Sequence, residues 1–481
     1  MLIQDLEQIK DFFARLDGPV VGVGMTAFSR IVPASFLPSY RIVCNQKTSD
    51  LPLLREKIPV FCFEETTGGK PFNRVANSFQ LLSKPCVEES LNRQKDPKYL
   101  FLYQNYPELE EFSKIRGWKL LANPSQLRIR LGERSFFERV VSDLGFPKIP
   151  GGIFPWKTMA GWGYENWVEK LGPKFVVQLP EIQRGGGRGT FFVGSKGEYD
   201  ALRKRLAKGV WRGSKLISVS VHSFIKGISA SVAFCVTRNG VLISGLQKQL
   251  IDLSYCHGLD ENGIFCGHVW GAGDTWPEAV LSEAQEQARK AGNHLASLGY
   301  KGIAGMDFIV QPEEGKVYPV EINPRLTGAF PVLSLLQLTQ GIIPMEAFHL
   351  LEFLEMPYRI DVEDMNRQYA QPLNGSHLLV LRGAAQKANI FRPLRAGIWE
   401  YNPEKNTCSF LKESFDLREI QNQRQFIIAD GPPDGMRAES GRMDPLHRLC
   451  RILFPYAIEN EKGLREEVHA IVDWVQRQCM G

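Results

Sequence analysis

The segment GIAGMDFIVQPEEGKVYPVEINPRLTG (302–328) constrains this chain more than any other stretch. Two strand-like runs, MDFIV and VYPVEI, flank PEEGK, a five-residue turn containing Pro and Gly. That spacing predicts a β-hairpin. With the turn centred on Glu314, Asp307 falls directly opposite Glu321, where facing Cβ atoms lie about 4.5–5.5 Å apart. Asn323, two residues beyond Glu321, points to the same face. The other face collects Phe308, Val310, Tyr318, Val320 and Ile322, a core-type surface. Two like charges placed directly opposite are destabilising unless something neutralises them. Magnesium wants hard oxygen ligands and takes a few from protein and the rest from phosphate and water. Asp307, Glu321 and Asn323 are therefore candidate metal ligands, and a solvated polar face is the plainer alternative. Arg325 follows two residues later, where a phosphate or carboxylate on the metal would lie.

Around this hairpin, strand and helix patterns alternate. PVVGVGM (19–25) reads as a buried strand ending in glycines, and RIVCN (41–45), PVFCFEE (59–65) and KYLFLYQ (98–104) read as further strands. Alternation with helices predicts a parallel sheet in residues 1–123. Asn123-Pro124 has the form of a helix start, with Asn as cap. GFPKIPGG (145–152) is a turn-rich linker. KFVVQL (174–179) and TFFV (190–193) are strands, and Ser195 with Glu198 forms a capping box. Residues 215–251 hold three more strand-like runs. A helix over 277–298 buries Val280, Ala284, Ala288, Ala291, Leu295 and Leu298. Two helical stretches follow, ending near Glu355, and the last ~120 residues read as a mixed α/β tail.

Between KFVVQL and TFFV lies QRGGGRGT (183–190). Gly185, Gly186, Gly187 and Gly189 free the backbone to present N–H groups to an anion, and Arg184 and Arg188 add charge. Many hairpin tips are also glycine-rich. No Gly-Lys-Ser/Thr follows, so this is not a Walker phosphate loop. VHSFIKGISASVAFCV (221–236) reads as a strand, a break at Lys226-Gly227, and another strand. Such a break could hold a flat base through backbone groups, with Phe224 and Ile225 beside it; an ordinary hairpin is the plainer reading.

The order of these parts resembles the ATP-grasp superfamily over about 124–350. The segment DFIV…VEINPRLTG is its most specific element. The resemblance implies an α/β chain with α+β character in the ATP-grasp part. It divides into a Rossmann-like pre-ATP-grasp domain (1–123), a two-lobed ATP-grasp domain (124–355, with the glycine-loop lobe at about 174–225) and a mixed C-terminal lobe (356–481). It implies that Asp307, Glu321 and Asn323 hold two magnesium ions and that Arg325 neutralises phosphate or orients an acyl-phosphate. It implies that Gly185 to Thr190 close over the phosphates of ATP and that the backbone of His222 to Lys226 holds adenine. Two positions depart from the family pattern. Gln178 stands where a phosphate-contacting Lys is usual, so the earlier basic position falls to Arg134. His222 and Ser223 stand near the ribose, where an acid is usual. The implied activity is carboxylate–amine ligation through an acyl-phosphate on an amino-acid-like substrate. Carboxylate–thiol ligation, carboxylase-type chemistry and a non-catalytic nucleotide-binding module are the alternatives. RLTGAFP after Asn323 lacks the Gln and Glu that biotin carboxylases use for bicarbonate.

Composition narrows the partners. The chain has 481 residues and a formal charge of +5 from 58 basic and 53 acidic residues. At roughly 100–200 residues per domain, that length suggests about three domains or large lobes. So small an excess does not argue for nucleic acid or an anionic membrane as the partner. A basic cleft for a phosphorylated ligand fits that excess equally well; small-molecule carboxylate and amine substrates are what the resemblance implies, with a possible homodimer. Nine scattered cysteines, an odd number, show no zinc or redox spacing and suggest reduced thiols in a cytoplasmic protein. The N-terminus reads as an amphipathic helix without signal-peptide character, and no apolar run is long enough to span a bilayer.

Overall fold

A computed structural model describes residues 2–67, 75, 77–93, 98–179, 189–211, 214–257, 262–271, 276–381, 392–433, 448–460 and 463–480. Five short apolar runs form a parallel sheet: β1 (Val20–Gly24), β2 (Tyr40–Cys44), β3 (Val60–Cys62), β4 (Lys98–Phe101) and β5 (Trp118–Leu121). Their order is β3-β2-β1-β4-β5, so the chain reverses direction across the sheet between β1 and β4. All five β1 residues are buried, as expected for a strand covered by helices on both faces.

A small lobe follows. β6 (Gly151–Pro155), β7 (Phe175–Gln178), β8 (Thr190–Val193) and, after a ribbon of β9 (Val210–Trp211) and β10 (Ser214–Lys215), β11 (Ser218–Ser223) build it. Its order is β6-β11-β7-β8, all antiparallel. The turn-rich 145–152 stretch is thus only in part a linker, because Gly151 and Gly152 open β6 and pair with β11. Helix Lys196–Leu206 is capped by Ser195, which accepts from Glu198 N–H, while Glu198 reaches back to Gly194 N–H rather than to the cap residue itself.

The largest sheet has eleven strands. β12 (Ile228–Thr237), β13 (Gly240–Ile243), β14 (Gln247–Ile251), β15 (Phe265–Trp270), β16 (Gly302–Gln311) and β17 (Lys316–Asn323) supply one part. β18 (Gly375–Leu381), β19 (Gly397–Asn402), β20 (Thr407–Lys412), β21 (Gln425–Ala429) and β22 (Arg448–Phe454) supply the rest. The order runs β17-β16-β12-β14-β15-β18-β22-β21-β19-β20, with β13 on β12. Pairing of β15 with β18 carries the sheet from the hairpin part directly into the C-terminal residues. The run VLISGLQKQLI, read as one strand, divides into β13 and β14, with Ser244 turned to hydrogen-bond Ala233 N–H.

One face of this sheet packs helix Glu278–Ser297 through Val280, Ala284, Ala288, Ala291 and Leu295, all fully buried, against Met306, Phe308 and Ile322. The opposite face meets the N-terminal sheet through helices Phe330–Thr339 and Met345–Phe353. Asn123 does not cap the next helix, which runs Ser125–Leu131. Its side chain instead brackets Lys301, donating to the Lys301 carbonyl at 2.7 Å and accepting from its N–H at 3.1 Å. Glu110 takes the capping role by accepting from Ser125 N–H and Oγ. An Asn that can tie two segments together finds better partners than a local cap.

Candidate active site

β16 and β17 form the expected hairpin, and Asp307 pairs directly with Glu321. The loop is four residues, Pro312–Gly315, closed by Gly315 at φ 65, and Lys316 belongs to the strand. Past Asp307 the register slips: Phe308 faces Pro319 and Ile309 faces Tyr318, leaving Val320 as a bulge. A one-residue slip moves side chains to the other face. Tyr318 and Val320, expected in the core, are therefore only partly buried, and Val317 and Pro319 take the buried positions. The bulge also turns the Val320 carbonyl outward, where Arg134 Nη1 donates to it at 2.5 Å.

The side carrying Asp307 and Asn323 holds together by amides and a guanidinium. Asn323 Nδ2 donates to Asp307 Oδ2 at 2.9 Å, and Gln249 Nε2 donates to Asp307 Oδ1 at 3.0 Å. Arg325 Nη2 donates to Asn323 Oδ1 at 2.7 Å, and its Nη1 donates to the Leu326 carbonyl and to the Tyr103 hydroxyl. Burial and the facing Glu321 push the Asp307 carboxyl up to about 7, against the pull of Arg325, Gln249 and Asn323. Burial alone would lower Arg325, but Tyr103, Glu321 and Asp307 around it hold it above its ordinary value. A divalent cation between the two carboxylates would relieve both their repulsion and their burial. Among the described residues no group of three or more His, Cys, Asp or Glu side chains gathers around one point. Two carboxylates plus amide oxygens suit magnesium, which fills its shell from phosphate and water.

Helix Arg134–Asp143 links this hairpin to the small lobe. Arg134 lies 3.7 Å from Glu138, and Glu138 lies 3.4 Å from His222 Nε2 on β11. Burial would raise the Glu138 carboxyl, but His222 and Arg134 beside it hold it below the usual range. An acid thus reaches His222 from a helix more than eighty residues earlier in the chain. The hinge itself, Phe224–Gly227, crosses from β11 to β12; Phe224 is exposed and packs edge-on to Phe192 at 5.8 Å. Ile225 is partly buried, and the Lys226 carbonyl accepts from Gln311 at 3.0 Å. Gln178 ends β7 opposite Thr190 and Ser220, at the root of the glycine stretch. Gly189, at φ 86, offers its carbonyl to Leu179 N–H. Arg184, Gly185, Gly186, Gly187 and Arg188 lie outside the described residues.

Gln249, Glu138 and Tyr103 were missed in the sequence. Gln247 and Gln249 do share one face of a strand, a polar alternation on the side that meets Asp307. Gln247 accepts from Trp270 Nε1 and donates to Ser231. Farther along the same face, Arg451 donates to His377 Nδ1 at 3.0 Å, so His377 must donate through Nε2 to His268 Nδ1. Burial keeps His268 neutral, with its pKa pushed down to about 3.

Residues 187–329 match the ATP-grasp domain family. The chain is 22% identical over 226 residues to the carbamoyl phosphate synthase arginine-specific large chain of Geobacillus stearothermophilus, covering 45% of this chain and 18% of that one. It thus spans about a fifth of the length of the curated relatives it matches, 18% and 22% of the two foremost. The biotin carboxylase of Campylobacter jejuni superposes with a TM-score of 0.58 at 14% identity, over 96% of this chain and 95% of that one. The L-amino acid ligase of Bacillus licheniformis superposes with a TM-score of 0.55 at 10% identity, over 96% and 98%. The fold is shared with these two enzymes over nearly the whole chain, and the match to the ATP-grasp domain family is confined to residues 187–329.

Proposed function

We propose that this chain is an ATP-dependent ligase that activates a small carboxylate and passes the acyl group to an amine. The observation that carries this reading is the Asp307–Glu321 pair, opposed across the hairpin and braced by Asn323, Gln249 and Arg325. Two carboxylates held face to face beside an arginine are costly unless cation and phosphate complete them. Magnesium held by Asp307, Glu321 and Asn323 would draw charge from the phosphates of ATP. The remaining work belongs to the chain. Phe224 and the backbone of His222 to Lys226 receive the base, and Gln178 and Thr190, paired across β7 and β8, flank in sequence the glycine-rich stretch assigned to the phosphates. Arg325 faces the charge that develops as a carboxylate oxygen takes the terminal phosphoryl group and ADP leaves. The acyl-phosphate so formed loses phosphate to an attacking amine. The structural neighbours include both an L-amino acid ligase and a biotin carboxylase. The RLTGAFP sequence after Asn323 favours the amine.

ADP release with magnesium and ATP, measured across pairs of amino acids and small acids, tests the reading. Release that requires both an acid and an amine supports it. Release with bicarbonate alone would replace amine transfer with carboxylation, and nucleotide binding without release across the panel would make this a binding module.

A further inference from the structure

The parallel N-terminal sheet reverses its strand order between β1 and β4. Ligands of open α/β sheets settle outside the carboxyl ends of the strands at such a reversal. Here β1 ends at Gly24 and β4 at Phe101, and Met25 and Tyr103 beyond those ends are exposed. Arg30 lies beside them and is only 6% exposed. Its Nε donates to the Val23 carbonyl at 2.9 Å and its Nη1 to the Ser29 carbonyl at 2.6 Å. Among the described residues no carboxylate pairs with it. Glu346, whose charge reaches it, accepts instead from Ser334. A buried guanidinium bonded to neutral carbonyls has only this more distant carboxylate to offset its charge, and a buried charge is costly without a directly bonded partner.

The surrounding chain is shaped to seat this arginine. A Cβ on Gly22 would fall 1.9 Å from the Tyr40 hydroxyl and 3.2 Å from Arg30 Cβ. A Cβ on Gly24 would fall 3.1 Å from Arg30 Cγ. Glycine weakens a strand interior, so two of them in β1 mark a close approach. Tyr40, lying over Gly22, donates to the Arg30 carbonyl at 2.7 Å. Asn45, at the end of β2, anchors its own N–H on the Gly24 and Met25 carbonyls at 3.2 Å each. Both polar atoms of its side chain are buried and without a hydrogen-bond partner among the described residues. The Arg30 and Arg325 guanidinium carbons lie 6.0 and 5.0 Å from the Tyr103 ring centroid, so both arginines border the same ring.

We propose that the acid activated at the ATP-grasp site carries a second anionic group, carboxylate or phosphate, and that Arg30 with Asn45 holds it at the β1 end. The first carboxylate then sits beside Arg325. This inference rests on the ligase reading and names its substrate class as a small dianion.

Thermal-shift titration of the full chain tests it, with and without magnesium-ADP. The probes are glutarate, phosphonoacetate and butyrate, a dicarboxylate, a carboxylate–phosphonate and a monoanion. In the wild type at least one dianion binds at least tenfold tighter than butyrate, and which one does so separates the carboxylate from the phosphate source. Arg30→Met removes that preference, and Arg30→Lys, which keeps charge without the planar fork, loses most of it. Equal affinity for all three probes in the wild type overturns the proposal. So does an Arg30→Met protein that keeps the preference, even with a lower unfolding temperature, because the arginine would then be only a strut. Should Arg30→Met not fold, Asn45→Leu is scored by the same two outcomes. Magnesium-ADP titrated alone reads the nucleotide end separately. Failure there overturns the ligase reading, while the anion preference is still scored without nucleotide.

Discussion

Glu321 is exposed, whereas Asp307 opposite it is partly buried and held by two amides. The two carboxylates therefore have different duties. Asp307 is fixed in place, and Glu321 contributes charge to whatever occupies the space between them. Glu321→Gln keeps the shape and leaves the apolar face of the hairpin untouched. It is expected to lower magnesium-dependent ADP release by at least about 100-fold, the scale of removing one group that meets developing charge. An unchanged far-ultraviolet spectrum and unfolding midpoint would show that the fold survives. Wild-type release in that variant would sink the metal assignment. The sequence revealed this pair because cross-strand register follows from the turn, and a turn of Pro, Glu, Glu and Gly is legible. Gln249, Glu138 and Tyr103 were not legible. Each reaches the site from a distant segment, and nothing local in a sequence records which distant strand will lie alongside.

At the scale of elements, helix Arg134–Asp143 is the connection between the hairpin and the small lobe. At one end Arg134 grips the bulge carbonyl of Val320, and partway along Glu138 meets His222. Most of the strands and the long helix Glu278–Ser297 could be read from periodicity, because each buries a continuous apolar stripe. The Val320 bulge could not, since Tyr318 and Val320 alternate as well as Val317 and Pro319 do, and only packing against the helix decides between them. Glu138→Ala removes the contact to β11 while leaving Arg134 in place. It is expected to raise the KM for ATP about 3- to 10-fold with a smaller change in kcat, since substrate positioning is lost rather than chemistry. Hydrogen exchange in Ser218–Ser223 should quicken in parallel. A kcat loss with KM unchanged would place Glu138 in the chemistry instead.

Across the whole molecule, buried ionisable groups sit where the N-terminal sheet meets the large one. Glu346, on helix Met345–Phe353, is buried with Ser334 as its hydrogen-bond donor, and burial raises its pKa to about 7. The folded state then holds a proton that the unfolded chain releases near 4.5, so this group's stabilisation is complete below about 4.5 and is lost as pH rises through about 7. Glu346→Gln keeps a hydrogen-bonding amide and removes the titration. The variant should gain on the wild type between pH 4.5 and 8 by up to about 3 kcal/mol, from 1.36 kcal/mol per pKa unit. Urea unfolding at the two pH values measures the gain, and a constant difference would show that Glu346 stays charged. The sequence placed an α/β chain, but not the pairing of β15 with β18, which joins distant segments into one sheet.

That sheet has two ends, and β17, the strand bearing Glu321 and Asn323, is one of them. An edge strand offers unpaired backbone groups to any passing chain and invites strand-to-strand association. This edge is blunted three times over. Pro319 has no N–H to offer, the Val320 bulge breaks the flat ladder, and Arg134 occupies the carbonyl that the bulge exposes. The irregularity beside Asp307 and Glu321 thus also blocks strand addition, and straightening the strand by deleting Val320 is expected to favour self-association along that edge.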